Sequence, residues 1–197
     1  MKKLFLALAL ILVATNASAA ANKYIIDPTH ANLVWSAEHF GYSTFYGRFD
    51  DVQGTVFFDQ TNPSMSNVSV VIKTASVDTY VPKLTEHLKG EDFFKVEQFP
   101  EARFTSTEVK VTGKKTAVIQ GNLTLLGVVK PVKLKVKFNK ADVHPYTKKR
   151  TVGFSAETTI KRSDFGMKYG IPGVSDDVKL IIEIEAVHEE DLLLDIK

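Results

Sequence analysis

The feature that most constrains the fold is a period-two alternation of apolar and polar residues along almost the whole chain. It is clearest at residues 131–140, where apolar side chains occupy positions 132, 134, 136 and 138 and lysines occupy positions 133, 135 and 137. Such alternation places one face of a β-strand against a core and the other in solvent. Eight segments of this kind predict strands at about residues 31–40, 52–59, 67–76, 102–111, 116–126, 131–140, 150–160 and 177–188.

Only one segment has helical spacing. Leu84, His87 and Leu88 lie at i, i+3 and i+4 after Pro82, and Gly90 follows, which predicts a short helix between the third and fourth strands. Eight consecutive strands with one short helix predict an all-β fold. Closing the sheet into an eight-stranded antiparallel lipocalin-like barrel removes its exposed edges. A β-sandwich with the same number of strands is the alternative.

The beginning of the chain has the layout of a secretory signal peptide. Two lysines precede an apolar run of ten residues, Leu4 to Val13, and residues 17–19 offer an A-x-A cleavage site. The run is too short to span a bilayer, which argues against an N-terminal membrane anchor. We therefore expect residues 1–19 to be removed and residues 20–197 to form a single barrel domain.

Charge and cysteine content exclude several classes of protein. Residues 20–197 carry 23 Lys and Arg against 23 Asp and Glu, so they lack the basic excess that nucleic-acid binding requires. The chain has no cysteine, which rules out a thiol nucleophile, a Cys-ligated zinc site and disulfide bonds. An exported domain of this length must therefore rely on its hydrophobic core alone.

The connections between the predicted strands fall into two groups. In an up-and-down barrel the 1–2, 3–4, 5–6 and 7–8 connections lie at one end. Three of these four are long and aromatic, whereas the connections at the other end are polar, so we expect an aromatic lid over one end. A satellite core that plugs this end is the alternative. The aromatic residues are Phe40, Tyr42, Phe45, Tyr46, Phe49, Phe93, Phe94, Phe99, Phe165 and Tyr169.

The inward positions of the predicted barrel include small residues. Ala37, Gly54 and Ala117 leave room in a barrel of eight strands, which is just wide enough to be filled by side chains or to hold one ligand. An interior filled by side chains is the alternative. The residues predicted to line a cavity are Trp35, Phe58, Leu123, Phe154 and Ile182.

The residues predicted for the mouth of the barrel are mostly aromatic. The five histidines of the chain have no metal-binding spacing and no G-x-S-x-G motif occurs, so we expect no metal, cofactor or catalytic residue. Three lysines on the outer face of the sixth strand are consistent with transient contact with an acidic membrane surface. The predicted mouth and lid residues are His39, Phe45, Phe93, Phe94, Arg162 and Phe165.

Five segments, in their order and spacing, carry a resemblance to a known family. They are YIIDPTHANLVWSAEHFGYSTFYGRF at 24–49, SVDT at 76–79, HLKGEDFFKVEQFPEARFTST at 87–107, GNLTLLGVVKPV at 121–132 and RSDFGM at 162–167. On these segments the sequence resembles the YceI-like family of periplasmic lipid-binding proteins.

The resemblance implies a lipocalin-like barrel that holds a polyisoprenoid, an isoprenoid quinone or another long-chain lipid in the periplasm. It also makes Arg162, within RSDFGM, the best candidate for contact with a ligand head group. Many relatives carry Arg-Asp shortly before the HL motif, where this chain has Leu84-Thr85, which leaves the head-group preference open.

Three functional hypotheses follow from the sequence. The first is a binding or carrier protein that is not an enzyme. The second is a stress-related periplasmic protein with a filled barrel that acts through protein partners. The third is an enzyme that uses His39 or His87 at the mouth. The identity of the lipid, its donor and acceptor, and the pairing of two barrels into a homodimer stay open.

Overall fold

The computed structural model describes residues 21–194, so the predicted signal peptide at 1–19 lies outside the described residues. Within them the chain forms ten strands and two α-helices. The strands are β1 Asn22–His39, β2 Ser43–Phe49, β3 Val52–Phe58, β4 Asn67–Lys73, β5 Val77–Asp78, β6 Glu101–Gly113, β7 Thr116–Leu125, β8 Val128–Val143, β9 Arg150–Lys161 and β10 Asp177–His188, and the helices are α1 Pro82–Lys89 and α2 Glu189–Leu193.

Eight of these strands close into an antiparallel barrel, which confirms the predicted fold class. The order around the barrel is β1, β3, β4, β6, β7, β8, β9 and β10, and β10 pairs back onto β1. The predicted helix is α1, which follows β4 and precedes β6. The helix α2 at the end of β10 is an addition that the sequence did not predict.

The long first strand makes the closure. One edge of β1 pairs with β10 between Tyr24 and Ser36, with an irregularity between Ile26 and Ala31. The other edge pairs first with β3, over Asn22 to Ile25, and then with β2, over Leu33 to His39. A single strand therefore joins three neighbours.

The strand β2 corrects the sequence prediction, which assigned residues 43–49 to a connection. The strand returns along β1 after a tight turn in which Phe40 and Gly41 both have positive φ, 51° and 72°. Positive φ at both central residues is characteristic of type I′ turns, whose twist suits a β-hairpin. The alternation of apolar and polar residues along β2 is interrupted because Tyr46, on the outer face, is aromatic like the inward Phe45 and Phe49.

The two ends of the barrel differ. We call one the lid end; it carries the β1–β2 turn, the segment 79–100 with α1, the β7–β8 turn and the segment 162–176. We call the other the turn end; it carries the segment 59–66, the β6–β7 turn, the β8–β9 turn and α2.

An ion pair holds α2 against the barrel. The backbone N–H of Arg150 and its guanidinium Nη2 donate to the Asp191 carboxylate at 2.7 Å each, and Nη2 also reaches Glu190 at 3.0 Å. The hydrogen bonds from the Arg150 side chain and backbone lower the pKa of Asp191 to about 2. Because the pair is partly exposed, its contribution is screened by solvent and amounts to about 1 kcal/mol.

This pair predicts an acid-sensitive contribution to stability. The pKa of Asp191 in the folded protein lies below the value of about 3.9 expected in the unfolded chain, so the stabilisation is complete above that value and is lost as the pH falls towards 2. Asp191→Asn should lower the unfolding free energy by about 1 kcal/mol at neutral pH and by little near pH 2. Urea unfolding at the two pH values measures this, and Asp177→Asn, in an exposed pair with Lys161, is the control. An equal loss at both pH values would contradict the prediction.

Candidate ligand cavity

A cavity of about 1170 Å³ occupies the barrel interior and extends from the lid end to the turn end. It is larger than the roughly 300–1,000 Å³ typical of sites for drug-sized ligands. Its wall is built from the inward-facing alternate residues of the strands, which are mostly Val, Leu, Ile, Phe and Ala. An apolar space of this kind favours an apolar occupant over water.

Alanine side chains in the wall help to keep the interior open. Ala117, Val136, Ala156, Ile182 and Leu33 are paired in succession across β7, β8, β9, β10 and β1, so they form one continuous belt across five of the eight barrel strands. Two of the five are alanines. In an eight-stranded barrel, larger residues at these positions would fill the interior.

All five residues predicted for the interior line the cavity: Trp35, Phe58, Leu123, Phe154 and Ile182. Phe58 and Phe154, together with Phe138, form a floor near the turn end. The centroid of the Phe58 ring lies 5.3 Å from each of the other two, and those two lie 5.7 Å apart.

Trp35 lies flat against the neighbouring strand because Gly47, its partner in β2, has no side chain. Its indole Nε1 is fully buried and has no hydrogen-bond partner among the described residues. A methyl group on Gly47 would overlap the six-membered ring of the indole. The glycine therefore determines how the only tryptophan of the chain sits in the cavity wall.

We predict that Gly47→Ala displaces Trp35 and lowers the unfolding free energy by about 1–3 kcal/mol, since the added methyl overpacks the wall. Intrinsic fluorescence reports the displacement, and denaturant titration reports the stability. Gly153→Ala in β9 is the matched control, because the nearest atoms to its added methyl lie 3.9 Å away. An unchanged emission spectrum and midpoint for Gly47→Ala would refute the overlap.

Aromatic side chains gather at the lid end. The His87 ring lies edge-on to Phe93 and Tyr169, at 5.0 and 5.1 Å between centroids, and Phe93 lies 5.4 Å from Tyr169. Phe94 packs edge-on against Phe49 at 5.3 Å. Five of the six predicted mouth residues line the cavity here, namely His39, Phe45, Phe93, Phe94 and Arg162.

The sixth predicted lid residue, Phe165, does not line the cavity. Its side chain is 2% exposed and belongs to the hydrophobic core beside the cavity, not to the cavity lining. His87 and Tyr169, which the predicted set of mouth and lid residues did not include, take part in the lid. Their position at this end could have been predicted, because both lie in connections that the sequence analysis assigned to it.

The lid is joined to the β1–β2 turn by backbone contacts. Phe40 N donates to Gly173 O at 2.6 Å, Ser175 N donates to Glu38 O at 3.0 Å, and the Phe40 ring lies over Gly173. The turn and the segment 166–176, which we call the strap, therefore cover the cavity together.

Arg162 anchors the strap. The side chain is only 4% exposed, and its guanidinium donates to four backbone carbonyls of the strap. Nε reaches Ser175 at 2.9 Å, Nη1 reaches Tyr169 at 2.8 Å and Met167 at 3.3 Å, and Nη2 reaches Val174 at 3.0 Å. Burial lowers the pKa of the guanidinium, and only one of its N–H groups is left for a ligand.

Asp176 closes the base of the strap. Ser163 donates to its carboxylate from the backbone N and from Oγ, at 2.8 Å each. The backbone hydrogen bond is the main cause that lowers the pKa of Asp176. Both ends of the strap are thus bonded to the short 3-10 helix Arg162–Phe165.

The Leu84-Thr85 dipeptide has separate roles in the structure. Leu84 lines the cavity, so an apolar side chain stands where the resemblance leads us to expect Arg. The Thr85 hydroxyl accepts a hydrogen bond from the backbone N of Thr79 at 3.0 Å, just before α1. The dipeptide therefore adds apolar wall and anchors the helix, without adding a charge at the mouth.

The histidines at the mouth do not form a joint site. His39 and His87 both line the cavity, but the His39 ring lies against Phe40, whereas His87 contacts Asp92 at 3.0 Å. Within residues 21–194 no group of three or more His, Cys, Asp or Glu side chains could hold a metal ion. No helix in the same range is long and apolar enough to cross a bilayer.

The strap predicts a specific effect of losing Arg162. Arg162→Ala leaves four buried or half-buried carbonyls without their donors and should lower the unfolding free energy by about 3 kcal/mol. Amide hydrogen exchange should rise mainly in residues 167–175. Lys161→Ala, which removes only an exposed pair with Asp177, should have little effect. Unchanged exchange in the strap would contradict the anchoring role.

A closed eight-stranded barrel around a large apolar cavity defines the class of lipocalin-like barrels. The chain belongs to the YceI-like domain family, which it matches over residues 24–186. It is 42% identical to a UPF0312 protein of Photorhabdus laumondii over 182 residues, covering 92% of this chain and 94% of the relative. It is 43% identical to Protein YceI of Salmonella arizonae over 181 residues, covering 91% and 94%.

Solved structures share the fold. The Campylobacter jejuni YceI protein superposes with a TM-score of 0.69 at 27% identity, over 96% of this chain and 99% of that protein. Burkholderia cenocepacia BcnA gives 0.75 at 22% identity, over 82% and 99%. A polyisoprenoid-binding domain from Saccharophagus degradans gives 0.67 at 14% identity, over 85% and 99%.

Proposed function

We propose that this protein binds one long-chain lipid, of the polyisoprenoid or isoprenoid-quinone type, inside the barrel and carries it without altering it. The observation that carries this proposal is the apolar cavity of about 1170 Å³, continuous between the two ends of the barrel. A structural neighbour described as a polyisoprenoid-binding domain has the same fold and supports the choice of ligand class.

The size of the cavity suits a long chain. At about 30 Å³ for each heavy atom, it has room for on the order of 40 atoms, or roughly six to eight isoprene units. Burial of a methylene group is worth about 0.8 kcal/mol, so such a chain is held by its apolar length even after ordering costs. In this proposal Trp35, Leu123 and Ile182 contact the chain, Phe58 and Phe154 support its far end, and His39 and Phe93 lie nearest its head group.

The proposal includes export and the absence of catalysis. Residues 1–19 act as a cleaved signal peptide, and residues 20–197 function as one domain in the periplasm, where the lipid must be shielded from water. The histidines at the mouth pack against aromatic rings, and the guanidinium of Arg162 is bonded to the strap. These groups therefore shape the mouth and hold its cover, and turnover of the lipid is not expected.

Native mass spectrometry of the protein purified from its own periplasm, followed by organic extraction, tests the proposal. We expect one long-chain lipid for each protein, released intact and identified by its mass. A protein of bare apo mass that takes up no added prenyl lipid would overturn the proposal. A ligand recovered in chemically altered form would support an enzyme instead.

A cavity-filling variant tests the location of the lipid. Ala156→Phe projects a ring from the belt into the cavity and displaces about three methylene groups of the ligand. It should weaken binding roughly thirtyfold, because about 2 kcal/mol of apolar burial is lost. Thr159→Phe adds the same ring on the exposed outer face of β9 and is the control. Equal affinity of the two variants, measured by titration with a prenyl lipid from micelles, would exclude the interior as the site.

A further inference from the structure

The cavity lining reaches the barrel surface at the turn end, where exposed residues such as Asn67, Val111 and Lys114 line it. The ladder between β4 and β6 covers only Ser69–Lys73 and Glu101–Thr105, whereas β6 continues to Gly113 with β7 as its only strand partner there. The 3-10 helix Pro63–Met65 lies beside this free part of β6. We call this part of the wall, where no strand pairing joins the two elements, the side portal; the cavity-lining residues at its edges include Pro63, Asn67, Val111, Lys114 and Lys115.

The side portal is less firmly closed than the lid end. The last hydrogen bond on this side runs from the backbone N of Val68 to Ser106 Oγ at 2.9 Å; beyond it, among the described residues, none joins residues 60–67 to residues 107–115. At the lid end, by contrast, the strap is bonded to Arg162 and to the β1–β2 turn. A chain that enters at the side portal therefore breaks none of these bonds.

The sequence around the side portal is strongly basic. Residues 107–116 and 135–143, at the turn end of β6, β7 and β8, carry six Lys against two Asp and Glu, although residues 20–197 as a whole are balanced. Most acidic groups nearby pair with cations: Asp142 pairs with Lys140, and the acids of α2 pair with Lys23 and Arg150. Glu108 accepts a hydrogen bond from the neutral amide of Gln120 and keeps its charge. In these two segments, the exposed lysines without an acidic partner in the described structure are Lys110, Lys114, Lys115 and Lys137.

Exposed apolar side chains lie among these lysines at the same end of the barrel. Met65 is 65% exposed beside the portal, Val111 is 46% exposed at its edge, and Tyr146 in the β8–β9 turn is 89% exposed. Lysines surrounding exposed aliphatic and tyrosine side chains are typical of surfaces that sit at the interface of an anionic bilayer.

We propose that the turn end docks on an anionic lipid bilayer and that the lipid passes between the bilayer and the cavity through the side portal. This inference rests on the proposed function, because it names the surface from which the cargo comes. The lysines face the anionic head groups, and Met65 and Val111 face the acyl region. The apolar chain then crosses into the barrel without exposure to water.

Vesicle flotation tests the docking independently of the cargo. The probe is a phosphatidylcholine vesicle with or without one third phosphatidylglycerol. The parent protein should float with the anionic vesicles at low salt and dissociate at high salt. Lys110→Glu combined with Lys137→Glu should weaken this association at least tenfold. Neither lysine lines the cavity, so loading from detergent micelles should not change.

The matched control reverses two charges at the lid end, Lys83→Glu with Lys168→Glu, and should float like the parent. Circular dichroism verifies that each variant is folded. Equal binding of the parent to both kinds of vesicle, no binding to either, or an equal loss in both double variants would overturn the docking proposal. A parent that floats as expected but takes up no prenyl lipid from micelles would leave the docking surface standing and refute the proposed function.

Discussion

The rest of the structure depends on how β1 divides its hydrogen bonds. One edge of this 18-residue strand closes the barrel on β10, and the other is shared between β3 and β2. Without the closure, the sheet would have two free edges and no enclosed space. Because β1 leaves β3 part of the way along, the hairpin with β2 extends the wall at the lid end, where the strap can bond to its turn.

Closure creates an interior, but the residue sizes decide whether it stays open. The belt of Ala117, Val136, Ala156, Ile182 and Leu33 keeps the middle wide, while three phenylalanines narrow the turn end to a floor. The apolar residues thus fall into two core clusters, one around the wide part and one at the floor. Residues of both clusters line the cavity, so its volume depends on a few side chains and not on the fold alone.

Sequence patterns predicted what is repeated along the chain and missed what depends on contacts between distant segments. The strands β7 to β10 followed from alternation, since one face of each meets the cavity and the other meets water. The first part of β1 was missed because its pairing with β10 is irregular between Ile26 and Ala31, which interrupts the alternation. The strand β2 was missed because aromatic residues occupy both of its faces.

The sequence also predicted part of the candidate site. The inward orientation of residues such as Leu123 and Ile182 follows from the alternation along each strand. The position of Arg162 at the mouth was also predictable, but its bonds to four carbonyls require the strap to fold back over it. Phe165 turns into the core within the same short helix, an orientation that periodicity does not report. The side portal arises from unequal strand lengths, and strand ends are the least certain part of a sequence prediction.

The anchoring of the strap by one arginine has a consequence for motion at the lid end. A guanidinium is planar and rigid, so the four carbonyls it holds share one frame. They cannot separate from it one at a time without leaving buried donors and acceptors unpaired. We therefore expect opening at this end to be concerted, closer to local unfolding than to loop fluctuation. One end of the barrel is held by a cooperative set of hydrogen bonds, whereas the wall at the other lacks strand pairing between β4 and the end of β6.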